Sequence, residues 1–337
     1  MHRQRGDDRR RRLDRMGPAR PGSCALRRRS RARFRVTQVD DWAFWCYSFH
    51  STPQGRREIM RFRPLAVVAA IAGLLVGATS VSASSEHFNP PKHYYLALGD
   101  SLAYGYQQAK FLGEAGSGHI DPATFPGYAG DLAGMLRDVR PEIRTVNYGC
   151  PGETTSSYFT ACYFSAVQHF PLHDPYSGSQ EAAALAFLRA HRGQVSPITL
   201  DNGANDVTPC LSSPDPNCFS RTIAVVGANL NRALAELRDA APDAEIIVMK
   251  YYDPFAFNSP GTIGITVLLD RAIANAAAHH GARLADALTP FNLAPPQPAT
   301  LCGLGPFCPL SDIHPNDAGY AVIAQQFWAA SGYGRLD

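Results

Sequence analysis

Five short apolar runs recur between residues 94 and 287, and longer stretches of helical periodicity separate them. That alternation constrains the fold more than any other feature of the chain. The runs are Tyr94–Leu98, Ile143–Tyr148, Pro197–Leu200, Glu245–Tyr251 and Ala282–Ala287. Helical patterns cover Tyr128–Val139, Gln180–His191, Ser220–Ala240, Ile263–His279 and Asp317–Ala330. Within Ser220–Ala240, Ile223, Val226, Leu230, Leu234 and Leu237 recur at threes and fours, one face of a helix. Strands joined through helices pair in parallel, and a parallel sheet is covered by helices on both faces. Residues 84–337 therefore read as one α/β domain, with no internal repeat.

The segment ahead of that domain has a different character. Residues 1–63 hold 18 of the 32 basic residues of the chain. Leu65–Ala78 is then almost purely apolar, preceded by Arg61 and Arg63 and followed by the small residues Val81-Ser82-Ala83. From Met60 this is the layout of a secretory signal peptide with cleavage near Ala83. Its 14-residue apolar core is short for a spanning helix, which needs about 20 residues. We therefore expect a signal peptide at 60–83 and a secreted protein, with an uncleaved N-terminal anchor as the alternative. The Arg-rich segment 1–59 does not suit such a leader; it reads as upstream over-translation ahead of Met60 or as disordered chain. A basic nucleic-acid or membrane arm is the rival reading. Residues 84–337 hold 14 basic and 23 acidic residues, a net charge of −9, so nucleic acid is not an expected partner.

The cysteines point the same way. Cys24 and Cys46 precede the domain, and the other six form close couples: Cys150/Cys162, Cys210/Cys218 and Cys302/Cys308. Local disulfides within the couples are the simplest arrangement, and they imply an oxidising compartment. Zinc is the competing use, but the spacings are not zinc-like and no paired His motif accompanies them. No ligand cluster suggests a catalytic metal, and no cofactor is expected.

Most of the apolar runs lead into polar residues. The first leads into Gly99-Asp100-Ser101, the second into "NYGCPGETT" and the third into "DNGANDV"; "LSDIHPNDAGY" precedes the last helix. Gly-Asp-Ser alone is what a plain strand-to-helix turn wants. Yet a parallel sheet brings its carboxyl ends to one rim, where open α/β sheets hold their ligands. A serine, a glycine amide, an asparagine amide and a histidine can converge there. Acyl transfer to water needs those parts: a hydroxyl to attack, a base to take its proton, and donors where carbonyl charge develops.

These blocks, in this order across residues 93–330, resemble those of the secreted SGNH (GDSL-type) hydrolases. The resemblance implies a flavodoxin-like three-layer α/β/α sandwich, with five parallel strands in the order 2-1-3-4-5. It also implies hydrolysis of esters of lipids, small acyl groups or acetylated sugars. Ser101 matches the nucleophile, and its own amide matches one oxyanion donor. Gly152 in "CPGETT" and Asn205 in "GAND" match the other two donors, and His314 in "DIHP" matches the catalytic histidine. One position departs from the pattern: the family has Asp three residues before its His, and here Ser311 stands there. Asp312, two before, is the expected partner of His314, and a main-chain carbonyl near Leu310 or Ser311 is the alternative.

Tyr104, Tyr106 and the aromatic loop from Tyr158 to Tyr176 follow two of these blocks, and as a rim they would receive an acyl chain. A packed satellite cluster is the competing reading of that loop. The expectation is a monomeric carboxylic-ester hydrolase of lipase or esterase character, acting on a small-molecule or lipid ester with at most transient contact with a lipid surface. A carbohydrate acetylesterase is the close alternative and a non-catalytic binding domain the distant one.

Overall fold

The structure, a computed structural model, describes residues 88–336. The Arg-rich segment 1–59 and the expected signal peptide at 60–83 lie outside the described residues. Strand β1 (Tyr94–Gly99) leads into a single helical turn α1 (Ser101–Tyr104), then α2 (Gln108–Ser117) and α3 (Gly127–Val139). After β2 (Arg144–Asn147) come α4 (Tyr163–Gln168) and α5 (Gln180–Ala190), and after β3 (Val195–Asp201) come α6 (Ala204–Val207) and α7 (Cys218–Ala240). Strand β4 (Ile246–Lys250), α8 (Ile263–His279), β5 (Arg283–Asp286), α9 (Ala299–Leu304) and α10 (Asp317–Ser331) complete the order.

All five strands pair in parallel, in the order β2-β1-β3-β4-β5. Helices α3 and α10 pack together on one face, and α5, α7 and α8 form the other layer. Burial on both faces explains why the strands read as apolar runs rather than as alternating ones. Leu96, Leu98, Ile198, Leu200, Ile246 and Val248 are all buried. Each such side chain contributes about 1.5–3 kcal/mol relative to exposure. On α7 the buried residues are Val226, Leu230, Ala233, Leu234 and Leu237, the face that the periodicity marks.

Helices α1, α2, α4, α6 and α9 escape the sequence reading: α1, α4, α6 and α9 have six residues or fewer, too short to show a period. No residue of α2 or α4 is buried, so neither carries an apolar stripe. The ends of the functional helices are better marked. Ser179 caps α5 by accepting from the Ala182 amide at 3.0 Å, and Asn316 caps α10 by accepting from Gly319 at 2.9 Å.

β1 has β2 on one side and β3 on the other, so the chain reverses its direction of winding there. The carboxyl ends of β1 and β3 border a topological switch point, the place where such sheets take their ligands. Gly99 and Asp201 are register partners at that edge. Gly99 has φ +137, and a side chain on it would collide with the Asp201 backbone and carboxyl. The chain can therefore turn sharply from β1 into Ser101 only with glycine here.

Candidate active site

Ser101 is the first residue of α1, two positions beyond the end of β1. Asp100 caps that turn, its Oδ1 accepting from the Leu102 amide at 2.9 Å and its Oδ2 from the Tyr251 hydroxyl at 2.8 Å. Directly behind lies Asp201, which accepts from the Tyr128 hydroxyl at 2.5 Å and from the Asp100 amide at 3.2 Å. Burial raises both carboxyls, and the nearby charge of Asp100 pushes Asp201 well above the usual range.

His314 enters from the opposite end of the sequence, two residues ahead of the α10 cap. Its Nε2 lies 3.0 Å from Ser101 Oγ and its Nδ1 2.6 Å from Asp312 Oδ1. Asp312 Oδ2 accepts from the Gln108 amide at 2.8 Å, so the start of α2 fixes the carboxylate. The Tyr252 hydroxyl donates to Ile313 O at 2.6 Å and pins the histidine loop to the end of β4. Burial works to raise the Asp312 carboxyl. The hydrogen bond and charge of His314, with the amides of Gln108 and His314, outweigh it and hold the group below its ordinary value. The Tyr106 ring meets the imidazole edge-on with centroids 4.7 Å apart.

Gly152 comes from the loop after β2, and Asn205 from α6 directly after β3. Gly152 is exposed, with φ +76, and the Phe164 ring stands where a side chain would be. Asn205 Nδ2 donates to Glu153 O at 2.9 Å, which ties the third block to the second. Asp206 does the same from the next position, accepting from Thr155 N at 2.9 Å and Thr155 Oγ1 at 2.7 Å. Ser101, Asn205 and His314 line one open cleft. Its walls include Val207, Tyr252, Phe255, Ile265 and Leu269.

None of the expected aromatic rim lines the cleft. Tyr104, Tyr106 and Tyr158 are buried. Tyr104 and Tyr106 belong to a satellite cluster with Phe125, Phe170 and the cystine Cys150–Cys162, and Tyr158 joins the main core. Those aromatics are consumed by packing under the loop, which is where their apolar area is best satisfied. Of the remaining histidines, His173 holds Tyr104 O at 2.9 Å and His279 meets Asn231 at 3.1 Å, both structural contacts.

The three cysteine couples are bonded as disulfides: Cys150–Cys162, Cys210–Cys218 and Cys302–Cys308. The first closes the loop carrying Gly152, the second joins the segment after α6 to α7, and the third precedes Asp312. Loops this short limit the unfolded chain by about 2–3 kcal/mol each.

Several residues of the site carry no motif. Gln180 on α5 is fully buried and spans both polar groups of Gly99: its Oε1 accepts from Gly99 N at 2.7 Å and its Nε2 donates to Gly99 O at 2.9 Å. The same Nε2 reaches Glu153 Oε2 at 3.2 Å. Only a fold that buries Glu153 and Gln180 makes them notable, and a polar residue in a loop or at a helix start gives no such sign. Among the described residues no group of three or more His, Cys, Asp or Glu could hold a metal ion. Among them also, no helix is long and apolar enough to cross a membrane.

Residues 97–322 match the family model described as the GDSL-like Lipase/Acylhydrolase family. No curated protein sequence matches the chain. Among solved structures, it resembles Axe2, an acetylxylan esterase from Geobacillus stearothermophilus, at 20% identity. The match covers 72% of this chain and 96% of that one, with a TM-score of 0.48. The lipase Lip_vut3 from a goat rumen metagenome is also 20% identical, over 72% and 99% of the two chains at TM-score 0.46. LAE5, an alpha/beta hydrolase from the metagenome of Lake Arreo in Spain, is 20% identical over 73% and 98% at TM-score 0.47.

Proposed function

The chain belongs to the GDSL-like lipase/acylhydrolase family and is a carboxylic-ester hydrolase, and from that premise we propose that it works through a Ser101–His314–Asp312 triad. The observation that carries this reading is the placement of His314 Nε2 at 3.0 Å from Ser101 Oγ and of its Nδ1 at 2.6 Å from Asp312. Residues 213 positions apart in sequence meet at hydrogen-bond distance, with the base oriented by a third group.

In this reading Ser101 Oγ attacks the ester carbonyl carbon while His314 Nε2 takes its proton. The carbonyl oxygen becomes an oxyanion held by the amides of Ser101 and Gly152 and by the Asn205 side chain. His314 then protonates the departing alkoxide as the C–O bond breaks, leaving an acyl-serine. A water molecule attacks the acyl-enzyme by the same path reversed, and the free acid leaves. Asn205→Ala should lower kcat by about 10²- to 10³-fold, the usual cost of losing one preorganised donor. A change under about threefold would make Asn205 merely structural.

The domain is assigned to residues 84–337, as a secreted monomer released from a signal peptide at 60–83. Three disulfides in the described domain support export, because such bonds persist outside the reducing cytosol.

The cleft walls favour an apolar acyl group. Val207, Ile265 and Leu269 offer hydrocarbon to the chain of an ester seated on Ser101. Each buried methylene contributes about 0.8 kcal/mol, so p-nitrophenyl butyrate should exceed the acetate in kcat/KM by about fifteenfold. Ile265→Trp, which fills the cleft, should erase that advantage and leave acetate turnover within about threefold. Equal rates on the two esters, with faster release of acetate from an acetylated sugar, would favour the carbohydrate acetylesterase instead.

A further inference from the structure

Glu153 is the one acid of the Gly152 loop, and it is almost wholly buried, 1% exposed. Its backbone oxygen accepts the Asn205 amide at 2.9 Å, and its backbone amide donates to Cys150 O at 3.0 Å. Its carboxylate accepts from Ser157 Oγ through one oxygen and from Gln180 Nε2 through the other. Gln180 in turn grips the Gly99 peptide groups, immediately ahead of Asp100 and Ser101.

We propose that Glu153 is a positioning residue of the oxyanion hole, its carboxylate locking the Gly152 and Asn205 donors in register with the nucleophile turn through Gln180. The proposal rests on the esterase reading given above.

Backbone groups set most of the hydrogen-bond directions in this network. Gly99 N must donate, so Gln180 Oε1 faces it and Gln180 Nε2 gives one proton to Gly99 O and the other to Glu153. Ser157 Oγ accepts from Thr154 N at 2.9 Å and Thr154 Oγ1 at 3.1 Å, and its own proton has Glu153 and, at 3.3 Å, Thr154 O as acceptors. A carboxylate at 153 accepts from both neighbours in their closest contacts. A carboxylic acid or an amide must instead place a proton on Ser157 Oγ, which already accepts twice, and turn the serine to the longer Thr154 contact, a costly rearrangement in a buried network.

The surroundings oppose this ionisation. Burial, with a smaller effect from the charges of Asp100 behind β1 and Asp206 on α6, pushes the carboxyl up to about 7, against the hydrogen bonds of Ser157 and Gln180. The other titratable groups that face it are the Tyr158 and Tyr176 hydroxyls, both raised by burial.

The test uses Glu153→Gln, Gln180→Glu and the swapped pair together. In the double variant the carboxylate introduced at position 180 accepts from Gly99 N and from the new amide at position 153. The oxygen of that amide accepts from Ser157, so every contact except that to Gly99 O regains its direction, and Gly99 O keeps the Cys150 amide as donor. Each single variant should lose about 10- to 100-fold in kcat with KM within about twofold. Affinity for a boronic acid that forms a tetrahedral adduct on Ser101 should fall by the same factor, while product inhibition stays unchanged. The swap should recover the part of both losses that Gln180→Glu owes to Glu153, leaving the part due to Gly99 O. The Glu153→Gln variant should also lose the part of the wild-type pH–kcat profile that rises near pH 7. A folded Glu153→Gln variant with kcat and boronate affinity within about threefold of wild type would overturn the proposal. So would a swap no better than Gln180→Glu alone, or failure of both Glu153→Gln and the swap to fold. An active Ser101→Ala variant would instead sink the Ser101 triad reading and leave Glu153 without a hole to position.

Discussion

Ser101→Ala is expected to abolish ester hydrolysis while leaving the fold intact. Removal of a serine nucleophile that works with a histidine base costs on the order of 10⁵- to 10⁶-fold in kcat. The cost to the fold should be small. The side-chain partner of Ser101 Oγ is His314, and a single hydrogen bond contributes about 0.5–1.5 kcal/mol. The turn itself is held by other groups: the Asp100 cap, the Tyr251 hydroxyl and the Gln180 grip on Gly99. Far-UV circular dichroism should therefore overlay on that of wild type. An organophosphonate should tag the wild-type peptide containing Ser101 and leave the alanine variant untouched. Tagging of another serine, or retention of more than about 1% of kcat, would remove Ser101 from the role assigned to it.

That site was legible in sequence because its parts sit where strands end. β1, β3 and β4 are buried on both faces and stand out as apolar runs, so Gly99-Asp100-Ser101 and the "GAND" block could be placed at strand ends. His314 was marked by its position before a capped helix. The supporting shell was not legible, for reasons that differ by residue. Tyr104 and Tyr106 look like a substrate rim in the chain, but burial decides their role, and burial depends on Phe125 and Phe170 arriving from elsewhere. Gln180 begins an ordinary amphipathic helix, and nothing in its neighbours reveals that it reaches across to Gly99, 81 residues away. The apolar walls of the cleft come from α6, α8 and the end of β4, three segments that no local pattern links.

The buried acids show how function and stability pull apart in this fold. Burial pushes both Glu153 and Asp270 up to about 7. A raised carboxyl pKa means that the folded chain holds the proton more tightly than the unfolded one. The stability from these groups is thus fully present below the ordinary carboxylate range and is lost as pH rises through about 7. Asp270 holds the amide of Tyr251 at 2.8 Å, and Tyr251 holds Asp100, so this acid too stands behind the nucleophile turn. The domain therefore gives up stability in the range where an ionised Glu153 completes the network around the oxyanion donors. Asp312 runs the opposite way. Its lowered pKa adds stability above the ordinary carboxylate range, lost as the pH falls through its folded value.

Asp312→Asn is expected to be more damaging than Asp312→Ala, although it is the closer match in shape. Asp312 now accepts at both ends, from Gln108 N through Oδ2 and from His314 Nδ1 and the His314 amide through Oδ1. An amide can accept at one end only. If its oxygen stays with the Gln108 amide, its NH₂ faces the imidazole and donates to Nδ1. The ring then carries its proton on Nε2, pointed at Ser101 Oγ, and no base remains to activate the nucleophile. An aspartate-to-asparagine change of this kind in a Ser-His-Asp triad costs about 10⁴-fold in kcat. Alanine removes the orienting group without imposing the wrong tautomer, so some rings still present a free Nε2, and its loss should be the smaller of the two. Burst kinetics with a p-nitrophenyl ester would place the defect in the acylation step for both variants, with KM little changed. If both variants stay within about tenfold of wild type, a main-chain carbonyl near Leu310 or Ser311 orients His314, and the triad reduces to a dyad. If alanine proves the worse, the tautomer argument fails and Asp312 acts chiefly through its negative charge.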